Sequence, residues 1–218
     1  MDIVGKLPRA TGQRKYLIVA VDYFSKWVEI EPLAKISEKE VIKFLWQNLI
    51  CSFGIPRALV TDNGTQFQGG KLKSWLEELK IKQLFTSVNN PQANGQAEMT
   101  NRIILQQLKT RLGEAKGSWV NELPGVLWAY RTTRREPTQK MSFNLVYRSE
   151  AVILSEIGEE TWRIKSYDDL RNSESRIIDL DPLDEKREAA ERRIHMYKSK
   201  MARAYDDKVA HANSKKET

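Results

Sequence analysis

Two acidic side chains stand where a carboxylate can do chemistry. Asp62 follows the short apolar run Ala58-Leu59-Val60 and opens an Asn63-Gly64 turn. A carboxylate there projects from the C-terminal edge of a sheet, where α/β folds place ligands. Glu98 follows a stretch rich in Asn, Gln and Gly and begins a long helical pattern. At about 100° per residue, Glu98, Arg102 and Lys109 fall within roughly 40° of one another, with the apolar stripe Ala97, Ile104 and Leu108 rotated about 100° away. Glu98 is therefore expected on a basic face beside the core. Hard cations such as Mg²⁺ take oxygen ligands of this kind together with water and phosphate. Two such ions about 4 Å apart activate an attacking oxygen and stabilise a leaving one in phosphoryl transfer. A site of that kind needs a third carboxylate from a separate element, and the early strands offer Asp2 and Asp22.

The pattern around these residues predicts the elements that must carry them. Tyr16 to Val21 is a continuous apolar run suited to a strand buried on both faces. Val28-Glu29-Ile30-Glu31 alternates as a half-buried strand does, and residues 1–7 read as the end of another strand before a turn from Pro8 to Arg14. Ser37 with Glu40 forms a capping box for a helix bearing Val41, Leu45 and Leu49. Gly54-Ile55-Pro56 ends that helix. Ala58 to Val60 then makes a buried strand, Leu72, Trp75, Leu76 and Leu79 a second helix, and Ile81 to Phe85 a fifth strand. Alternation of strand and helix favours parallel pairing. Beyond a polar loop, helices are expected from about Ala93 to Gly113 and through Trp119, Leu123, Leu127 and Tyr130. Residues 184–208 read as a long charged helix with Ile194, Tyr197, Met201 and Tyr205 at helical spacing, and Asn213 to Thr218 as disordered.

Composition narrows the class. The 218 residues carry a net charge of +7. Residues 1–150 hold 22 basic and 14 acidic side chains, giving +8, and residues 151–218 hold 14 and 15, giving −1. An excess confined to the globular-looking part points to an anionic partner, nucleic acid first. Cys51, His195 and His211 are the whole soft-ligand supply, so neither a disulfide scaffold nor a Cys/His zinc site is expected. Cys51 reads as a small apolar residue packed near a helix end. No apolar run approaches the roughly 18 residues of a membrane span, and residues 1–30 do not read as a signal peptide. A soluble intracellular chain without membrane contact is expected.

In order, these motifs resemble one family. The aspartate of Val60-Thr61-Asp62-Asn63-Gly64-Thr65-Gln66-Phe67 is separated by 35 residues from the glutamate of Asn90-Pro91-Gln92-Ala93-Asn94-Gly95-Gln96-Ala97-Glu98. With Met1-Asp2-Ile3-Val4-Gly5, Leu127-Trp128-Ala129-Tyr130-Arg131 and Ser142-Phe143-Asn144-Leu145-Val146-Tyr147, the chain resembles the integrase catalytic core of gypsy-type LTR retrotransposons, within the retroviral integrase superfamily. The resemblance implies an α/β, ribonuclease H-like fold, a five-stranded mixed sheet flanked by helices, with a C-terminal helical tail. It implies Asp2, Asp62 and Glu98 as catalytic residues and as ligands of two Mg²⁺ (or Mn²⁺) ions, with Asp22 structural. It also implies 3′ processing and strand transfer of element DNA into target DNA, in the nucleus, by a homo-oligomer on double-stranded DNA. Gln92, Asn94, Gln96, Asn101, Arg102 and Lys109 are the residues placed to touch that DNA.

The expected organisation is a catalytic core over 1–157 with its first strand truncated, and a linker and charged helical tail over 158–218. A fragment of a longer polyprotein fits that layout. The alternative is a non-catalytic nucleic-acid-binding remnant or a domesticated assembly module. A ribonuclease H-type nuclease is disfavoured by the motif order and the Asn-Pro-Gln loop.

Overall fold

The apolar run that begins at Tyr16 is the centre of an antiparallel sheet. Strands β1 (Asp2–Ala10), β2 (Arg14–Val21) and β3 (Val28–Leu33) follow one another as a meander in the order β1-β2-β3. Asp2 lies opposite Val19, and Ile18 opposite Glu31. Side chains alternate across a strand, so β2 supplies two cores. Leu17 and Val19 pack with Val28, Ile30, Ile104, Leu108, Trp119 and Leu123. Ile18 and Ala20 pack with Val41, Phe44, Leu45, Phe67, Leu72 and Leu76. The expectation of a strand buried on both faces is met.

This computed structural model describes residues 1–86, 95–112, 118–148, 151 and 183–214. They divide into two compact units, Met1–Tyr130 and Arg131–Thr218. The expected boundary at residue 157 lies outside the described residues.

Within the first unit, helix α1 (Glu38–Phe44) begins on Ser37, whose hydroxyl accepts from Glu40 N at 3.3 Å. It continues through a π-helical segment (Leu45–Ile50) into α2 (Cys51–Phe53) and stops at Gly54, whose φ of 84° is open to glycine without a side-chain clash. β4 (Ala58–Thr61) and β5 (Lys82–Phe85) pair in parallel across α3 (Gly70–Glu78). α4 (Gly95–Leu112) and α5 (Trp119–Thr132) complete the layer behind β2. Glu38 ties two helices together, because its Oε1 accepts from Leu72 N at 2.6 Å at the first turn of α3. A Cβ at Gly69 would collide with that carboxylate. Glu38→Ala should therefore cost about 1 kcal/mol, the usual value of a lost helix cap, and lower the melting temperature by roughly 2–4 °C. An unchanged thermal melt would remove the cap from the account.

Several expectations are corrected. β1 does not end near residue 7 but runs through Pro8 to Ala10, followed by a 3-10 turn at Thr11–Gln13. β1 is an edge of its sheet, where the missing N–H of proline breaks no ladder. The strand has nine residues. The five strands do not form one ladder among the described residues: the antiparallel three and the parallel pair β4-β5 are separate sheets. A bond from the Met1 nitrogen to Val60 O nonetheless brings the start of β1 beside β4, and a backbone amide there would make the same bond. Cys51 is exposed rather than packed, since it falls on the solvent side of its helix.

The second unit begins with a hairpin, β6 (Arg134–Arg135) against β7 (Lys140–Met141), leading into α6 (Ser142–Tyr147). The long charged helix is present as α7 (Leu183–Ser214). It therefore includes Asn213 and Ser214, expected to be disordered; 215–218 lie outside the described residues. Ile194 of the expected apolar stripe is buried along with Ala190, while Met201 is exposed. No described helix is long and apolar enough to cross a membrane.

Candidate active site

Three carboxylates reach one region from three elements. Asp2 is the first residue of β1, Asp62 follows the last residue of β4, and Glu98 lies in the first turn of α4. The N-terminal bond to Val60 carries Asp2 to the edge from which Asp62 emerges. Asp62 Oδ1 accepts from Gly64 N at 3.1 Å, a turn of the Asx type that fixes one of its oxygens. Glu98 stands exposed, as do Arg102 and Lys109 on the same helix, in agreement with a basic face beside the core.

Asp2 is held most firmly. Its Oδ1 accepts from Ile3 N at 2.7 Å, and its Oδ2 accepts from Asn101 Nδ2 at 2.6 Å. Burial pushes the Asp2 carboxyl above its ordinary value. The Ile3 amide opposes that rise, and the negative charges of Asp62 and Glu98 add to it. Asp22 makes no part of this cluster. Its Oδ2 accepts from both Ser25 N and Ser25 Oγ at 2.7 Å, closing the β2–β3 turn.

The donor chemistry fits a hard cation: a buried Asp2 carboxyl with the charges of Asp62 and Glu98 nearby is what a divalent charge would relieve. Among the described residues, however, no group of three acidic, Cys or His side chains stands close enough to hold a metal as the site is arranged. The cluster is electrostatically coupled but open.

The raised Asp2 carboxyl has a consequence for stability without metal. An acid whose folded pKa exceeds its unfolded value of 3.8 binds its proton more tightly when folded. Ionisation then costs stability, fully above the folded pKa and not at all below 3.8. Asp2→Asn should raise the melting temperature at pH 7 in EDTA, and the gain should vanish as pH falls below 3.8. The Asn101 amide can rotate to accept from the new side chain. A lower melting temperature at pH 7 would contradict the assigned cost.

Among the residues expected to touch DNA, Arg102 and Lys109 are exposed on α4. Gln92 and Asn94 lie outside the described residues. Gln96 is in the first turn of α4, but its side chain is not described. Asn101 is corrected: it is only 7% exposed and is bonded to Asp2, so it faces the carboxylates and not a groove.

Comparison with known proteins agrees with this layout. Residues 1–91 match the family described as integrase core domain. The chain is 33% identical over 150 residues to the Gag-Pol polyprotein of avian reticuloendotheliosis virus, a match covering 68% of this chain and 13% of that protein. It is 28% identical over 149 residues to the transposon Tf2-3 polyprotein of Schizosaccharomyces pombe, covering 68% and 11%. The chain thus spans a small part of the curated relatives it matches. A simian T-cell lymphotropic virus intasome has a similar fold, with TM-score 0.58 and 22% identity over 70% of this chain and 55% of that one. The HTLV-2 integrase catalytic core domain in complex with magnesium, in its trimeric form, aligns with TM-score 0.51 and 25% identity over 65% and 98%. The resemblance carried by the sequence motifs is borne out, as is an integrase-core fold of mixed α/β content.

Proposed function

We propose, on the premise that residues 1–91 belong to the integrase core domain family, that this chain is the catalytic core of a retroelement integrase. In this reading it joins element DNA ends to target DNA at Asp2, Asp62 and Glu98. The supporting observation is the convergence of these carboxylates: the charges of Asp62 and Glu98 reach Asp2 and add to the burial that raises its proton affinity. Their separation along the chain means that only the fold can assemble them.

Asp2, Asp62 and Glu98 would hold Mg²⁺ or Mn²⁺, as a pair of ions. When bound, such a pair lowers the pKa of an attacking oxygen and stabilises the leaving one. The carboxylates fix where that charge sits, and Arg102 and Lys109 bind phosphates along α4 by charge. Water first attacks a phosphodiester near the element end and frees a 3′ hydroxyl. That oxygen then attacks a target phosphodiester, forming one phosphorus–oxygen bond as another breaks, so no external energy source is needed. Chromosomal DNA as the target places the reaction in the nucleus. Self-association suits a reaction that brings two element ends to one target.

A second reading, a non-catalytic nucleic-acid-binding module, is favoured by the open arrangement of the carboxylates. The two separate when the chain is incubated with plasmid, Mg²⁺ or Mn²⁺, and a library of duplexes with randomised ends. Sequencing junctions from that mixture should recover duplex 3′ ends joined to plasmid, and none in EDTA. Salt-sensitive DNA binding with no junction in either metal would favour the second reading.

A further inference from the structure

We propose that the outer edge of β5, together with the cavity between β5 and α3, docks an extended acidic peptide of a partner protein as an added strand. Such docking is independent of the joining reaction.

The edge is open and carries a strand's worth of unused backbone groups. β5 pairs with β4 on one side only. Lys82 N donates to Arg57 O at 3.2 Å and Thr86 N to Thr61 O at 2.9 Å, so the even-numbered residues of β5 face β4. Successive residues of a strand turn their backbone groups to opposite sides. The amides and carbonyls of Gln83 and Phe85 therefore point outward, and they carry no hydrogen bond among the described residues. The edge is apolar as well, with Leu84 39% and Phe85 46% exposed. Alternating donors and acceptors of this kind are satisfied by another strand, laid about 4.8 Å away.

Beside the edge is a cavity of about 600 Å³. Leu76, Ile81 and Phe85 give it apolar walls, and Lys73 and Lys82 outnumber Glu77 around it. Phe85 belongs to both features, since its backbone faces outward while the residue lines the cavity. In a strand laid along β5 every second side chain falls on one face, so one residue can enter the cavity as its neighbours lie along the rim. An apolar anchor flanked by Asp or Glu matches the walls and the two ammonium groups. DNA fits less well: its phosphates would meet the lysines, but the outward carbonyls of Gln83 and Phe85 would repel them. A second copy paired edge to edge would bring the same patch, lysines included, against itself.

The test is selection of a random peptide library displayed on phage against the full chain, followed by fluorescence anisotropy of the enriched peptides. Enriched sequences should hold a large apolar residue beside Asp or Glu. Their binding should weaken about tenfold when Lys73→Glu and Lys82→Glu are combined; both side chains are exposed, so the fold should survive. Methylating the peptide's backbone nitrogens one at a time should weaken binding about tenfold or more at alternate positions and little between them. That scan reads strand geometry on the unaltered protein. Deuterium exchange at the Gln83 and Phe85 amides should slow with peptide bound. No enriched peptide, binding indifferent to the lysine reversals, a methylation profile without alternation, or unchanged exchange at both amides would each overturn the docking site. A duplex oligonucleotide that binds through the two lysines while no peptide does would assign the patch to DNA and overturn it too. Self-association that slows the same two amides in place of peptide would assign it to a second copy, with the same consequence.

Discussion

Replacing Asp62 with Asn should lower DNA joining by on the order of 10³-fold or more, with Glu98→Gln producing a loss of the same order. Both changes keep side-chain size and remove only the anionic oxygen that would ligate a cation. Neither should disturb the fold. An asparagine at 62 can still accept from Gly64 N through its amide oxygen, preserving the turn. Glu98 is exposed on α4 and holds no described hydrogen bond. DNA binding, carried by Arg102, Lys109 and the wider basic surface, should survive in both variants with its salt dependence intact. Junction counts should therefore collapse while gel-shift affinity stays within a few-fold of wild type. Full joining activity in either variant would remove that carboxylate from the site.

The second large effect is on stability. Trp119 is 1% exposed and packs in the core beneath Leu17 and Val19. Its Nε1 donates to Pro8 O at 2.8 Å, pinning the far end of β1 to the start of α5. Trp119→Ala should cost about 3–5 kcal/mol through lost burial and the cavity left behind, a large share of the roughly 5–15 kcal/mol that holds a domain. Trp119→Phe keeps most of the packing but leaves the Pro8 carbonyl without its donor, and should cost about 1–3 kcal/mol. Urea denaturation of the two variants checks the ordering. Equal midpoints for alanine and wild type would mean that this core does not support the unit. The site would suffer as well, because the strand that presents Asp2 is the one Trp119 secures.

Much of the arrangement is legible in the sequence, and the reasons differ by element. β2 is unmistakable because a six-residue apolar run can be buried only between two cores, as Leu17 and Ile18 show by packing on opposite sides. α5 is equally clear, since Trp119, Leu123, Leu127 and Tyr130 repeat along one face and are all buried. The extent of β1 was hidden by Pro8, which reads as a turn former unless the strand is known to lie at a sheet edge. Sheet continuity is hidden for a related reason. Whether β1 and β4 share one ladder depends on hydrogen bonds such as Met1 to Val60, between residues 59 apart, and no local pattern encodes them.

Within the site, the carboxylates announce themselves by type and spacing, but Asn101 does not. A surface contact was the natural reading of a polar residue one turn from Glu98. Helical geometry held a signal against it. At about 100° per residue, Asn101 falls roughly 60° from Glu98 on the side of the Ala97, Ile104 and Leu108 stripe. A polar residue at the border of a core stripe is expected to need a buried partner, and Asp2 is that partner. Asp22 presented the reverse case. It sits at a strand end as a ligand might, yet its Oδ2 is taken by Ser25 N and Ser25 Oγ in the turn.

The central claim is that Asp2, Asp62 and Glu98 form one cation site. Anomalous diffraction from crystals of the chain soaked in Mn²⁺ tests it most directly. The account predicts an anomalous peak about 2.1 Å from carboxylate oxygens of both Asp2 and Asp62, with Glu98 drawn in to ligate the same cluster. Mn²⁺ peaks confined to other acidic side chains at saturating metal, with Asp2 and Asp62 unchanged, would contradict it.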